Sequence, residues 1–559
     1  MTRLQPAAPP RRTPGARCVG QDDGPRRAVT IVPRLNPGVR RGGRLLAVAA
    51  LLLATPAHAV TGDLAAYMRA RAADADGRPA AAAQDYARAL AADAASPVVA
   101  IRAYREAVRA GDLALADRAA AALGGAAPAD AALLAAGQAV RDPATAGAAI
   151  DRLAAGQFAI FAPALRAWTG RESATPAATS AGGGDAIARR LLEETRALAQ
   201  IARGDTDAGL AALHARLGND QAAQDNRLFA ARLLIAQGKA AAARTLLVGE
   251  APAIVALRAR VDDRAAGVAP TLASAASHLF ARVASDLALG PPSPVSYALL
   301  RAALRADPRN DRAAILLAGA LARDGATDQA VATLAAIPAD SIHAAAAATG
   351  RVQILAAAGR DEEALAAARA AGTASAADAS RLADLYLRLD RPAEAVPLYR
   401  ALVERAGAGW AEWLQLGAAL ELAGDWAAAR PALERAVALG PEQPLALNHL
   451  GYSLIEHGER AGAAQAMLEK AARLQPDDAA IADSLGWSFY RRGQLARALP
   501  LIERAAAADP ANAEIAEHLG DVYWSAGRRF EARYAWTAAR QMGEGDDAAR
   551  LATKIADGL

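Results

Sequence analysis

A glycine recurs at a fixed interval near the end of this 559-residue chain: Gly417, Gly451, Gly486 and Gly520, at steps of 34, 35 and 34 residues. Other positions keep the same beat. Prolines stand at 441, 476 and 510, alanines at 429, 464, 498 and 532, and Leu433, Leu468, Ile502 and Trp536 follow four places after each alanine. A period of this length marks one supersecondary unit that cannot bury its apolar face alone and must stack on copies of itself. The unit reads as two helices. Proline closes the second, because it lacks an N–H and cannot continue a helix. Asp478 and Asn512, two places after a proline, suit the N-cap of the next. One small residue per helix, glycine on the first and alanine on the second, is expected where the pair crosses closely. The beat extends upstream to Ala395, and Ala330 to Ala364, Ala208 to Ala242 and Ala82 to Ala116 are each 34 apart. Between residues 63 and 540 this allows about eleven units, some degenerate.

Trp413, Leu416, Gly417, Leu420, Ala429, Leu433, Ala436 and Pro441 form one complete unit; Ala482, Leu485, Gly486, Phe489, Ala498, Ile502, Ala505 and Pro510 form another. This pattern resembles the tetratricopeptide repeat. The resemblance implies an all-α solenoid, a right-handed superhelix of antiparallel helix pairs. Composition shifts divide the chain into a disordered preface with an export signal (1–59), an N-terminal array (60–170), a flexible linker (171–185) and a degenerate middle array (186–290). Further units (291–372), a regular C-terminal array (373–544) and a possible capping helix (545–559) follow.

The chain is 53% hydrophobic but only 4% aromatic. Alanine supplies much of that total, and it favours helices that pack closely. Ten arginines and two acids precede position 45, a local charge of +8 in a chain of net charge +4, so the part from Val60 onward carries −4. That mildly acidic remainder lacks the basic footprint of a nucleic-acid binder. Arg40, Arg41 and Arg44, the apolar run 45–54 and the triplet Ala57-His58-Ala59 stand in the order of an export signal cleaved after Ala59. The run is too short to span a bilayer, and no transmembrane segment is expected after cleavage. Cys18, the single cysteine, lies within the preface, so the exported part would have no disulfide, no thiol nucleophile and no lipid-bearing cysteine. The expected location is the periplasm, with any membrane association coming through a partner.

Catalytic signatures are missing. The sequence holds no G-x-S-x-G, no P-loop and no H-E-x-x-H. His518 and His449 share one repeat position with Ser484, which argues for packing over acid–base work. His457, eight after His449, would need a carboxylate between them and ligands from a second helix to hold a metal. Residues 250–300 are the least regular place for an active site, yet SHLFARVASDLALGPPSP there offers one histidine and one aspartate with no partner at motif spacing. No enzyme, cofactor or metal is expected.

The family resemblance places certain first-helix positions on a concave groove. Here they carry Asn448 and Tyr452, then Asp483, Trp487, Tyr490 and Arg491, then Glu517, Asp521 and Trp524. Asp483, Trp487 and Tyr490/Arg491 share one helix face, and Glu517, Asp521 and Trp524 repeat the spacing. Aromatics flanked by arginine are common interface anchors. The competing reading packs these aromatics inside the molecule, under a capping helix formed by 545–555. The carboxylate-capturing mode of the family is matched only by Asn448. An acidic groove with aromatic anchors suits instead an extended peptide or a helix carrying Arg or Lys.

The blocks NHLGYSLIEHGER, ADSLGWSFYRRGQLARAL and AEHLGDVYWSAGRRFEARYAW resemble the C-terminal part of exported proteobacterial tetratricopeptide scaffolds. That group includes lipoprotein adaptors for a carboxyl-terminal processing protease. The resemblance implies a periplasmic scaffold that binds protein or peptide partners, an envelope protease among them. The alternative is an accessory component of an envelope polysaccharide-export or secretion machine.

Overall fold

The computed structural model describes residues 63–170, 184–215, 218, 220–288, 290, 293–542 and 545–559. The export signal, Cys18 and most of the expected linker lie outside the described residues. Among the described residues the chain forms 29 α-helices, three short 3-10 turns and no strand. They fall into two compact units, 63–372 and 373–559.

The C-terminal unit is a run of helical hairpins: Ala376–Arg388 with Pro392–Val403, Trp410–Leu422 with Trp426–Leu439, Pro444–Glu456 with Ala461–Leu474, Ala479–Arg491 with Leu495–Ala508, and Ala513–Ser525 with Arg529–Met542. Gly545–Asp557 packs against the last of these. Local chemistry sets the ends. The second helices stop at Leu439, Leu474 and Ala508, two residues before Pro441, Pro476 and Pro510. Asp478 accepts from the amide of Ile481 at 3.0 Å, and Asn512 from those of Glu514 and Ile515 at 3.1 and 3.3 Å, filling orphan donors of the first turn. In four of the five pairs the chain reverses through a left-handed glycine, as at Gly493 with φ 71°, and in the first through left-handed Asp390 with φ 54°.

The repeating glycine of the first helix has a sharper cause than small residue meeting small residue. A Cβ on Gly417 would lie 2.5 Å from Leu433, on Gly451 2.8 Å from Leu468 and on Gly486 2.5 Å from Ile502; on Gly520 it would run into the Trp536 indole. The glycine is the socket for the large residue of the second helix. The alanines at 429, 464, 498 and 532 are fully buried beside it.

In the unit 63–372 the same hairpins occur with more drift. Ala82, Ala116, Ala330 and Ala364 are all 0% exposed. In the middle array the register differs by one from the spacing read in the sequence: Ala208 is exposed, and the buried small residues are Gly209 and Ala243. The segments 60–170, 186–290 and 291–372 all lie inside this one compact unit. The helices Pro97–Ala110 and Ala131–Ala139 pack directly on Pro294–Ala306. A Cβ on Gly137 would meet the Ala302 carbonyl at 2.5 Å. Arg301 donates to the Val108 carbonyl at 2.9 Å, closing the same contact with a hydrogen bond. Tyr86, Tyr104, Phe161 and Phe280 are the large side chains of its core.

Candidate functional site

The first helices of successive C-terminal hairpins touch one another, which lines up the residues singled out for the groove. They form two clusters, joined through Tyr452 to Glu514 and through Tyr490 to Ser525.

The upper cluster surrounds His518. Its ring is 1% exposed, stacks on Trp487 with centroids 3.9 Å apart, and holds Asp483 Oδ2 at 2.7 Å from Nδ1. Trp487 is itself only 6% exposed and donates its indole N–H to Glu456 at 2.7 Å. Arg491, its side chain 40% exposed, donates to the same Glu456 oxygen at 3.0 Å. Tyr490 is half-buried, stacks on Trp487 at 4.9 Å and pairs its hydroxyl with Ser525 at 3.0 Å. Tyr452 reaches across two hairpins to give its hydroxyl to Glu514. Asn448 is buried at 3%. Three adjacent repeats are thus tied by polar contacts under an aromatic roof. His518 is enclosed by that roof, so no substrate atom reaches it unless the stack opens.

The lower cluster is a bed of acid. Glu517 and Asp521 lie one turn apart on Ala513–Ser525 and are 5% and 6% exposed. Two cations from Gly545–Asp557 enter it. Arg550 donates to both oxygens of Glu517, one of them at 2.8 Å, and Lys554 donates to Glu517 and to both oxygens of Asp521 at 2.7 Å. Asp521 also accepts from the Trp536 indole at 2.8 Å. Burial opposes the charge on Glu517, yet the hydrogen bonds from Arg550 and Lys554 outweigh it and hold its pKa down at about 2. Apolar contacts complete the seat: Leu551 is 2% exposed against Trp536 and Ala539, with Trp524 and Ile555 at the margin. Trp524 is half-buried, with the guanidiniums of Arg529 and Arg533 at 5.2 and 5.1 Å from its ring.

Eight of the nine residues therefore meet in the two clusters of this wall, with most of their polar atoms satisfied within the chain, while Asn448 is buried with its side-chain oxygen unpartnered. Sequence reading missed three of the partners, Glu456, Arg550 and Lys554. The signal for the last two was present as a basic pair four apart on an amphipathic segment. Another unread carboxylate is Glu421, which lies 3.2 Å from His449 and 3.4 Å from His457 and accepts from Ser453 at 2.8 Å. Among the described residues no group of three or more His, Cys, Asp or Glu has a geometry that fits a metal, and no helix is long and apolar enough to cross a membrane.

Models of the tetratricopeptide repeat match residues 410–453 and 484–547, the hairpins that build this wall. These hairpins are tetratricopeptide repeats. Solved structures with a similar fold include a tetratricopeptide repeat protein of Parabacteroides merdae, at 16% identity and TM-score 0.39, covering 44% of this chain and 98% of that one. A thermophilic repeat protein of Thermus thermophilus aligns at 20% identity and TM-score 0.30, over 33% of this chain and 99% of its own. MamA of Desulfovibrio magneticus aligns at 22% and 0.26, over 30% and 94%. No curated protein sequence matches the chain. Stacked tetratricopeptide hairpins support a protein-interaction scaffold, since such arrays present long surfaces assembled from many helices.

Proposed function

We propose that this protein is a periplasmic scaffold whose C-terminal wall docks a partner helix carrying arginine and lysine, with an envelope protease among the partners it would position. One observation carries the reading. The acidic pair Glu517 and Asp521 already receives Arg550 and Lys554 from a helix, so the wall's chemistry for such a segment is explicit. Leu551 and Ile555 add the apolar half of the recognition. A scaffold of this kind works by positioning and avidity, with no bond chemistry of its own. The periplasmic part of the reading rests on the basic, apolar and small-residue order of residues 40–59.

The experiment uses the chain's own segment as the probe. A labelled peptide of residues 545–559 is titrated into the full chain and into its Arg550→Glu/Lys554→Glu variant, whose resident helix is repelled from the acids. The variant is expected to bind the peptide at least about tenfold more tightly than the wild type, because its seat is vacated. No binding by a variant of unchanged helicity defeats the docking reading. Localisation is tested separately: fractionation and N-terminal sequencing should place a chain beginning at Val60 in the periplasm, and a cytoplasmic chain that keeps residues 1–59 defeats that part.

A further inference from the structure

A second polar centre lies in the unit 63–372, in the stretch where sequence motifs pointed to nothing. Arg232 on Gln221–Ala236, His278 on Leu272–Leu287, Arg309 in the turn before Asp311–Arg323, Arg312 on that helix, and His343 all line one cavity of about 50 Å³. On the scale where about 10–15 Å³ admits one water, this is room for a few waters or one compact ion, and too little for a peptide.

The polar groups around it are unequally satisfied. Asp225 is engaged by Arg312 at 3.1 Å and by Gln221 at 2.9 Å. Asp311 accepts the Ser341 hydroxyl, and Asp307 accepts the Arg309 amide at 3.0 Å. Arg282, a further lining residue, is turned to Asp286, with a nitrogen 2.6 Å from the carboxylate. His278 stacks on Phe229 at 4.2 Å and meets Asn226 at 2.8 Å. The cations that remain are under-used. Arg232 spends only its Nε, on the Ala266 carbonyl at 3.1 Å; its two terminal nitrogens, the guanidinium of Arg309 and the ring nitrogens of His343 make no hydrogen bond among the described residues. Four arginines and three aspartates line the space, and one of the arginines, Arg282, is paired with Asp286 outside it. Burial, then Arg312 and Arg232, push His343 down to about 4, and burial, then Arg282, push His278 down to about 3. Arg309 is exposed and Arg232 partly so, and among the lining arginines only Arg282 holds its guanidinium buried with no hydrogen bond; such a guanidinium is costly unless an anion meets it.

We propose that this cavity binds a compact phosphoryl oxyanion, inorganic phosphate or a phosphate monoester, held by Arg232, Arg309 and Arg312 with His343 alongside. Guanidinium forks match phosphate oxygens in pairs. The site is independent of the docking wall in the other unit and stands or falls without it.

The test uses the full chain at pH 7, titrated with inorganic phosphate against sodium chloride at matched ionic strength. Phosphate is expected to raise the Tm saturably where chloride does not. It is also expected to move the His343 titration midpoint upward, read by NMR and assigned with His343→Gln, because a bound dianion favours the imidazolium. Arg309→Gln, which alters an exposed side chain, should weaken phosphate several-fold, and Arg232→Gln/Arg309→Gln by at least about tenfold. O-phosphoserine binding as tightly as phosphate would assign the site to a monoester, and weaker binding would assign it to the free ion; both support the site. Phosphate acting no differently from chloride, or Arg309→Gln binding phosphate as the wild type does, overturns the proposal.

Discussion

At the scale of single residues, the repeat is held by sockets. Gly417 and Gly520 lie where any Cβ would meet Leu433 or Trp536, whereas Gly462, in the second helix of its hairpin, has nothing within 4 Å of a Cβ. The same substitution should therefore act in opposite directions. Gly520→Ala forces the buried Trp536 out of place and is expected to cost about 1–3 kcal/mol. Gly462→Ala removes a flexible helical glycine and is expected to gain up to about 1 kcal/mol. Urea denaturation of the two variants checks both signs, and a Gly520→Ala protein as stable as the wild type would remove the socket account. Trp487 belongs to the same scale. Its composition and spacing suggested an anchor for a partner, but its ring is nearly buried between His518 and Tyr490, with its N–H on Glu456. A helix face shows that aromatics line up; it does not show whether a neighbouring repeat has already covered them.

At the scale of elements, the last helix is fastened by charge as well as by the burial of Leu551. The Glu517 carboxyl has its pKa lowered from 4.5 to about 2 in the folded chain. A depressed acid contributes stability that is complete above its unfolded value and is lost as pH falls through the folded one. With allowance for the partial exposure of Arg550, the contribution is about 2 kcal/mol. Gly545–Asp557 should thus loosen between pH 4.5 and pH 2, and Glu517→Gln should loosen it at neutral pH. Hydrogen exchange of the 545–557 amides reads both; unchanged protection in Glu517→Gln would mean that Leu551 alone holds the helix. Which elements were legible follows from how local their causes are. The C-terminal hairpins could be read because glycine, proline and cap residues act within a few positions of themselves. The packing of Pro97–Ala110 on Pro294–Ala306 could not, since Arg301 and Val108 meet across 193 residues with no periodic signature. The cavity of Arg232, Arg309 and His343 escaped for the same reason: each residue comes from a different element, and none stands at motif spacing from another.

At the scale of the whole molecule, division into two compact units should show in unfolding. Six of the seven tryptophans, all but Trp168, lie in residues 373–559, so indole fluorescence reports chiefly on the C-terminal unit while far-ultraviolet circular dichroism reports on both. The units also differ in what acid does to them. His278 and His343, both in the unit 63–372, have pKa values below the ordinary 6.5 in the folded chain. Each therefore contributes stability that is present above pH 6.5 and is lost as pH falls toward its folded value. At pH 5 the loss is set almost wholly by protonation of the unfolded chain, about 2 kcal/mol for each histidine. Glu517, by contrast, keeps its contribution down to about pH 4.5. Lowering the pH from 7 to 5 should move the dichroism transition to lower urea while the fluorescence transition moves much less, so that the two curves separate. Two-state unfolding of a single cooperative body would keep them superimposed at both pH values. Superposition would mean that acid destabilises both units together, and that the hairpins of 373–559 draw their stability from the rest of the chain as much as from the stacking of Trp536, Ile502, Leu468 and Leu433 on their glycines.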